Sequence, residues 1–169
     1  MTSMIREAIA ADAEVIQRIE TVADALLIEA LGAPAPEWPS AADATERIGH
    51  PGYVLLLEED SDSSPVGFVH VLDADGAAHL EQLSVLPEHG RRGHGRRLVE
   101  AALDEARRRG YSRMTLRTYA DIPWNAPFYA SCGFKESIPE SGFHRHLADA
   151  ETRLGLDRYG RRLQMTVPL

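Results

Sequence analysis

At 169 residues, with 44% of them apolar and both charge signs interspersed, the chain is long enough for one compact core spanning 1–169 and is neither disordered nor fibrous. Its formal net charge of -8 excludes a general nucleic-acid binder, and the lone cysteine, Cys132, excludes an internal disulfide. The first twenty residues carry acids where a leader's apolar core would stand, and no run approaches membrane-spanning length. A cytoplasmic location is expected, with neither a membrane nor nucleic acid as partner; a homodimer is left open.

Met4 to Ala8 reads as a first strand. From Asp12 onward, Val15, Ile16, Ile19, Val22, Ala23, Leu26, Leu27 and Leu31 recur at helical spacing, until Gly32 and the prolines at 34, 36 and 39 break the helix. Ser40 to Ile48 reads as a second helix, with Ser40 as its cap and Asp43 three residues on. Tyr53 to Glu58 and Val66 to Leu72 read as strands around a polar hairpin loop, Glu59 to Ser64. The turn Asp73 to Gly76 leads into a further strand over His79 to Leu86.

That strand empties into a loop with Gly93 and Gly95 set among Arg91, Arg92, Arg96 and Arg97. A helix follows, continuing over Glu100 to Arg109 and stopped by Gly110. Such a junction suits phosphate, because glycines let the backbone approach and the helix's free N–H groups point at the anion. The arginines are expected to add charge-assisted hydrogen bonds, while Arg107 to Arg109 read as a solvated helix end. A dinucleotide fingerprint fails, since Leu98 stands where its third glycine belongs; a P-loop fails for want of Gly-Lys-Ser/Thr. On an acidic chain, a local basic loop suits a small polyanionic ligand.

Met114 to Thr118 reads as a strand, Trp124 to Cys132 as a helix stopped by Gly133, and the tail as a polar loop with a last strand over Arg162 to Val167. Strands at both ends, helices between and no repeats predict an α/β sandwich around one mixed sheet.

Two blocks about thirty residues apart together carry a resemblance. Gly90-Arg91-Arg92-Gly93-His94-Gly95 resembles the first motif of the GNAT superfamily of N-acetyltransferases, with Gly90 where the family usually has Gln or Arg. Asn125, Tyr129, Gly133 and Phe134, with Phe128 among them, resemble the second. The match is close over about residues 65–135 and extends to the flanks in pattern only. It implies a mostly antiparallel mixed sheet splayed between two neighbouring parallel strands to admit acetyl-CoA. It also implies direct transfer of an acetyl group to an amine in a ternary complex.

By that resemblance, the backbone of Leu83, Ser84 and Val85 pairs with the pantetheine arm, and the segment Arg91, Arg92, Gly93, His94, Gly95 and Arg96 offers N–H groups to the pyrophosphate. Asn125 matches the asparagine that bonds the pantetheine arm or the loop, although its place also suits a helix cap. Tyr129 matches the tyrosine that protonates the coenzyme A thiolate; without the motif it reads as a packing aromatic. Glu81 leads as general base, with a salt-bridged strand carboxylate as the other reading, and His79 and Tyr119 stand behind it. Strand alternation puts Glu81 on the face of Leu83 and Val85, with Gln82 on the other.

His144 and His146 lack helical spacing and a neighbouring cysteine, so no metal is expected. Cys132 reads as a small helix residue rather than a nucleophile. In this fold specificity lies in the early helices and last hairpin, here Glu14 to Ile48 and Ser137 to Arg161. Their acids, including Glu20, Asp24, Glu37 and Asp43, read either as a solvated face or as a seat for a cationic amine. By the resemblance, the acceptor is expected to be an amine-bearing small molecule or peptide, with a polyamine, an aminoglycoside-like drug and a peptide or protein N-terminus all open. A rival of another class is a non-catalytic acyl-CoA sensor, which would have no need of the Tyr129 hydroxyl.

Overall fold

A computed structural model describes residues 3–33, 39, 43–59 and 64–169. Its strands are β1 (Ser3–Glu7), β2 (Gly52–Glu59), β3 (Pro65–Ala74), β4 (Ala77–Val85), β5 (Arg113–Tyr119), β6 (Lys135–Ser137) and β7 (Arg162–Pro168). Its helices are α1 (Ala13–Leu31), α2 (Ala44–Gly49), α3 (His94–Arg108), α4 (Ala126–Ser131) and α5 (Gly142–Arg153). The strands form one sheet in the order β1-β2-β3-β4-β5-β7-β6. Every neighbouring pair is antiparallel except β4 with β5. This is the mostly antiparallel mixed sheet flanked by helices that the resemblance implies.

Helices α1 and α3 take opposite faces of the sheet, each burying its apolar stripe. Leu98, Val99, Ala102, Leu103 and Ala106 of α3 are buried on the face of β2, β3 and β4 that carries Val71 and Tyr53. The Tyr53 hydroxyl donates to Ala102 O at 2.6 Å across that interface. Arg109 is exposed at the helix end, as expected, and its guanidinium also lies 4.5 Å above the Tyr53 ring and donates to Gly52 O. Arg107 and Arg108 are exposed, each paired with an acid three residues back. On the other face, α1 contributes Ile16 and Ile19 to the core and a polar seam to the cleft described below.

Four elements differ from the sequence reading. Helix α2 begins at Ala44, capped by Asp43, whose carboxylate accepts from Thr45 N at 2.8 Å; Ser40 lies outside the described residues. The proposed hairpin loop lies outside them over 60–63. The tail is not a polar loop, for it holds the short strand β6 and the helix α5. Helix α5 is capped by Ser141 and buries His144 and Glu151 rather than a row of hydrophobics. Helix α4 is shorter than Trp124 to Cys132 at both ends.

Candidate active site

The site starts from a fork in the sheet. Parallel pairing of β4 with β5 runs through Ala78–Met114, His79–Thr115 and Leu80–Leu116 and stops there. Beyond it β5 stays with β7 while β4 stays with β3, through Val69–Leu83, Phe68–Ser84 and Gly67–Val85. Leu83, Ser84 and Val85 thus pair with β3 on one side and border a cleft of about 910 Å³ on the other. The cleft passes from the loop at Gly90–Gly95, through the fork, to α1 and α5.

A β-bulge sits at the fork. His70 faces Gln82 and Val71 faces Leu80, so Glu81 has no partner on β3. The extra residue resets the alternation, which corrects the face expected for Glu81. It does not share the side of Leu83 and Val85; its carboxylate lies 4.0 Å from His79 Nε2, in the part of the cleft bordered by Glu20, Arg47 and Glu151. Burial in the cleft raises its pKa, although about a third of the side chain stays exposed.

At the other end, α3 opens on Gly93, whose φ of 80° is left-handed and favours glycine. Gly95 lines the cleft, and a Cβ there would sit 3.6 Å from Phe128 Cζ. The first N–H groups of α3 are free of helical partners, as at any helix start. The loop is anchored from behind by buried Glu59, which accepts from His94 Nε2 at 2.6 Å and Arg92 Nη1 at 3.1 Å and meets His89 Nδ1 at 3.1 Å. These partners, His94 foremost, hold Glu59 well below the usual carboxylate range.

The expected charge-assisted contacts are therefore corrected. The Arg92 guanidinium is turned to Glu59, Arg96 to Ser131 and the Phe128 ring, and Arg97 to Ser3 O. Arg91, with a φ of 60°, is the loop arginine that lines the cleft without a protein partner among the described residues.

Tyr129 stands on α4 with its ring edge-on to Phe128 and Phe134. It lines the cleft, and no hydrogen-bond partner for its hydroxyl is found among the described residues. Burial raises its pKa further above the ordinary phenol value, so it stays protonated. Asn125 precedes α4 without capping it; its Oδ1 accepts from Thr118 Oγ1 at 2.8 Å and Tyr119 N at 3.3 Å, tying α4 to the end of β5. Tyr119 is withdrawn as a base, since its hydroxyl donates to Leu156 O.

Behind Glu81 runs a polar chain. His79 Nδ1 is 2.8 Å from Thr115 Oγ1, which is 2.8 Å from His144 Nε2, while His144 Nδ1 meets Ser141 Oγ. Burial pushes the His79 pKa down to about 3, so it is neutral, and His144 serves as a core partner.

Beside this chain, buried Arg47 makes two contacts to Glu20, at 3.0 and 3.1 Å, and one to His70 Nδ1. Asp24 meets Gln82 Nε2 at 3.4 Å, and its pKa is pushed up to about 6 by burial and the nearby Glu20. Glu20 and Asp24 are thus cleft residues rather than a solvated face, whereas Asp43 is a cap and Glu37 lies outside the described residues. Across the fork, Arg117 and Arg162 share Glu151. The sequence reading passed over Arg47, Arg117, Glu151 and Arg162. The available signal was Arg117, a charge on the same strand face as Thr115 and Tyr119.

Comparison with known proteins gives the same architecture. Residues 20–134 match the model of the Acetyltransferase (GNAT) family. PaiA N-acetyltransferase from Thermoplasma acidophilum, solved with coenzyme A, superposes with a TM-score of 0.74 at 17% identity, covering 100% of each chain. The ribosomal-protein-S18-alanine N-acetyltransferase from Escherichia coli superposes with a TM-score of 0.70 at 20% identity, covering 99% of this chain and 94% of that one. N-acetylglutamate synthase from Neisseria gonorrhoeae, solved with coenzyme A and N-acetyl-glutamate, gives 0.67 at 20% identity, covering 100% of this chain and 35% of that one.

Proposed function

The chain belongs to the GNAT acetyltransferase family, and we propose that it transfers the acetyl group of acetyl-CoA directly to a primary amine held at the α1–α5 end of the cleft. One observation carries this reading: a cleft joins the Tyr129 hydroxyl, which has no partner among the described residues, the free side of β4 and a helix start at one end to the Glu81 carboxylate at the other.

The residues present fit acetyl-CoA. The free side of Leu83, Ser84 and Val85 suits an arm that pairs like an added strand, and the N–H groups from Arg91 to Arg96 suit a pyrophosphate. Arg91 adds the charge, and the Asn125 amide nitrogen faces no protein acceptor among the described residues. When bound, acetyl-CoA supplies an activated acetyl group, whose transfer forms a C–N bond to the amine and breaks the C–S bond.

The chain's own residues then serve the protons. Glu81 accepts the proton that the amine nitrogen sheds, helped by its raised pKa and by neutral His79 beside it. Tyr129 donates its phenolic proton to the departing sulfur. A backbone N–H of β4 beyond the fork polarises the thioester oxygen. The test is coenzyme A thiol release with acetyl-CoA and a panel of primary amines. Release with at least one amine class is expected. Binding of acetyl-CoA without release for any amine would make the chain an acyl-CoA sensor instead.

A further inference from the structure

We infer that the acceptor carries a carboxylate beside its amine, and that Arg117 and Arg162 bind that carboxylate, making the acceptor a zwitterion of the amino-acid class. This rests on the amine-acetylation reading above and names its substrate class.

The inference starts from a charge imbalance. Arg117 Nε and Arg162 Nε both reach Glu151 Oε1 at 2.9 Å, and Arg162 Nη2 reaches Oε2 at 2.7 Å. Two guanidiniums share one carboxylate, leaving one positive charge in excess. Their side chains are only 10% and 15% exposed. Burying a second guanidinium is costly unless something returns its hydration, and Glu151 is already engaged on both oxygens by Arg162. Arg117 touches Glu151 through Nε alone. No acceptor for its two terminal nitrogens, or for Arg162 Nη1, is found among the described residues, yet both side chains line the cleft. A guanidinium edge with two free N–H donors matches a carboxylate's two oxygens.

The opposite wall has the opposite surplus. Glu20 is spent on Arg47, and Glu81 and Asp24 make no direct ion pair with an arginine among the described residues, although Arg47 lies near enough to act on both; their hydrogen-bonding or close polar partners are His79 and Gln82. Glu81 and Arg117 are the first residues past the last paired rung, Leu80–Leu116, on strands that stand about 4.8 Å apart while paired. An ammonium beside Glu81 and a carboxylate beside Arg117 therefore belong on one small molecule, as in an amino acid. A polyamine would set a second cation against the arginines.

The test compares N-acetyl amino acids spanning apolar, polar and acidic side chains with their carboxamides, titrated by calorimetry into the protein saturated with coenzyme A. At least one acid is expected to bind about tenfold or more tightly than its amide, the worth of a charged hydrogen-bond pair. Arg117→Gln, in which Arg162 still holds Glu151, is expected to abolish that gap, with a melting curve checking its fold. Amides binding as well as acids, binding by neither, or a gap that survives Arg117→Gln would each overturn the carboxylate site. The acid–amide comparison on the parent protein needs no variant. Thiol release measured separately, with acetyl-CoA and the free amino acids and their carboxamides, separates the two readings: release from amines with no acid preference sinks the carboxylate site alone, whereas no release sinks acetyl transfer.

Discussion

Tyr129 and Glu81 show how a side chain's surroundings decide what it can do. Tyr129 is almost buried, yet its residue lines the cleft and its hydroxyl has no acceptor among the described residues, and burial keeps the phenol protonated. Tyr129→Phe keeps the ring among Phe128 and Phe134 and removes the transferable proton. Turnover should fall about 10²–10⁴-fold, the usual worth of a general acid, while the acetyl-CoA dissociation constant stays put. Calorimetry beside steady-state kinetics checks this; equal losses in both would make Tyr129 a packing residue. For Glu81 the sign follows from its raised pKa. A carboxyl accepts a proton only when ionised, so kcat/KM should drop as pH falls through a value above the ordinary carboxylate range. Glu81→Gln should lower the plateau and erase that inflection in the pH profile. An unchanged acidic limb would assign the proton to water.

Among the elements, the junction of β4, the glycine loop and α3 was the most legible, because its signals are local: a strand pattern, a left-handed glycine and a helix start. Gly95 gives it a sharp test. A Cβ already comes 3.6 Å from Phe128, so the branches of Gly95→Val must enter the ring's space or the cleft. Acetyl-CoA affinity should fall about tenfold or more with little change in melting temperature, and parent-like binding would move the pyrophosphate elsewhere. The bulge at Glu81 was not legible, since one inserted residue depends on β3 and leaves no mark in the alternation of β4 itself. Helix α5 was missed because hydrophobic periodicity cannot see a helix whose buried positions are His144 and Glu151. Its Ser141 cap was a signal, too weak without an apolar stripe. The loop arginines misled for a related reason. Composition records their charge, but only the fold shows that Glu59 and Ser131 claim Arg92 and Arg96.

For the whole molecule, a sheet forced open between its two parallel strands creates one cleft with unlike ends. The α3–α4 end is built of backbone N–H groups, Arg91 and an aromatic cluster. The α1–α5 end is built of carboxylates and guanidiniums from elements far apart in sequence. That explains why the proposed acetyl-CoA end could be read from contiguous motifs, while the proposed acceptor end took shape only once Asp24, Glu81, Arg117, Glu151 and Arg162 were brought to one end of the cleft. The central claim is that this cleft transfers an acetyl group directly to an amine. Mass spectrometry of stoichiometric protein and acetyl-CoA, with and without an amine, tests it most directly. The account predicts an unmodified protein mass with acetyl-CoA alone and, once the acceptor is added, one N-acetylated amine for each coenzyme A thiol released. Bound acetyl-CoA that acetylates no amine, or an acetyl group left on the protein as the route to product, would contradict it.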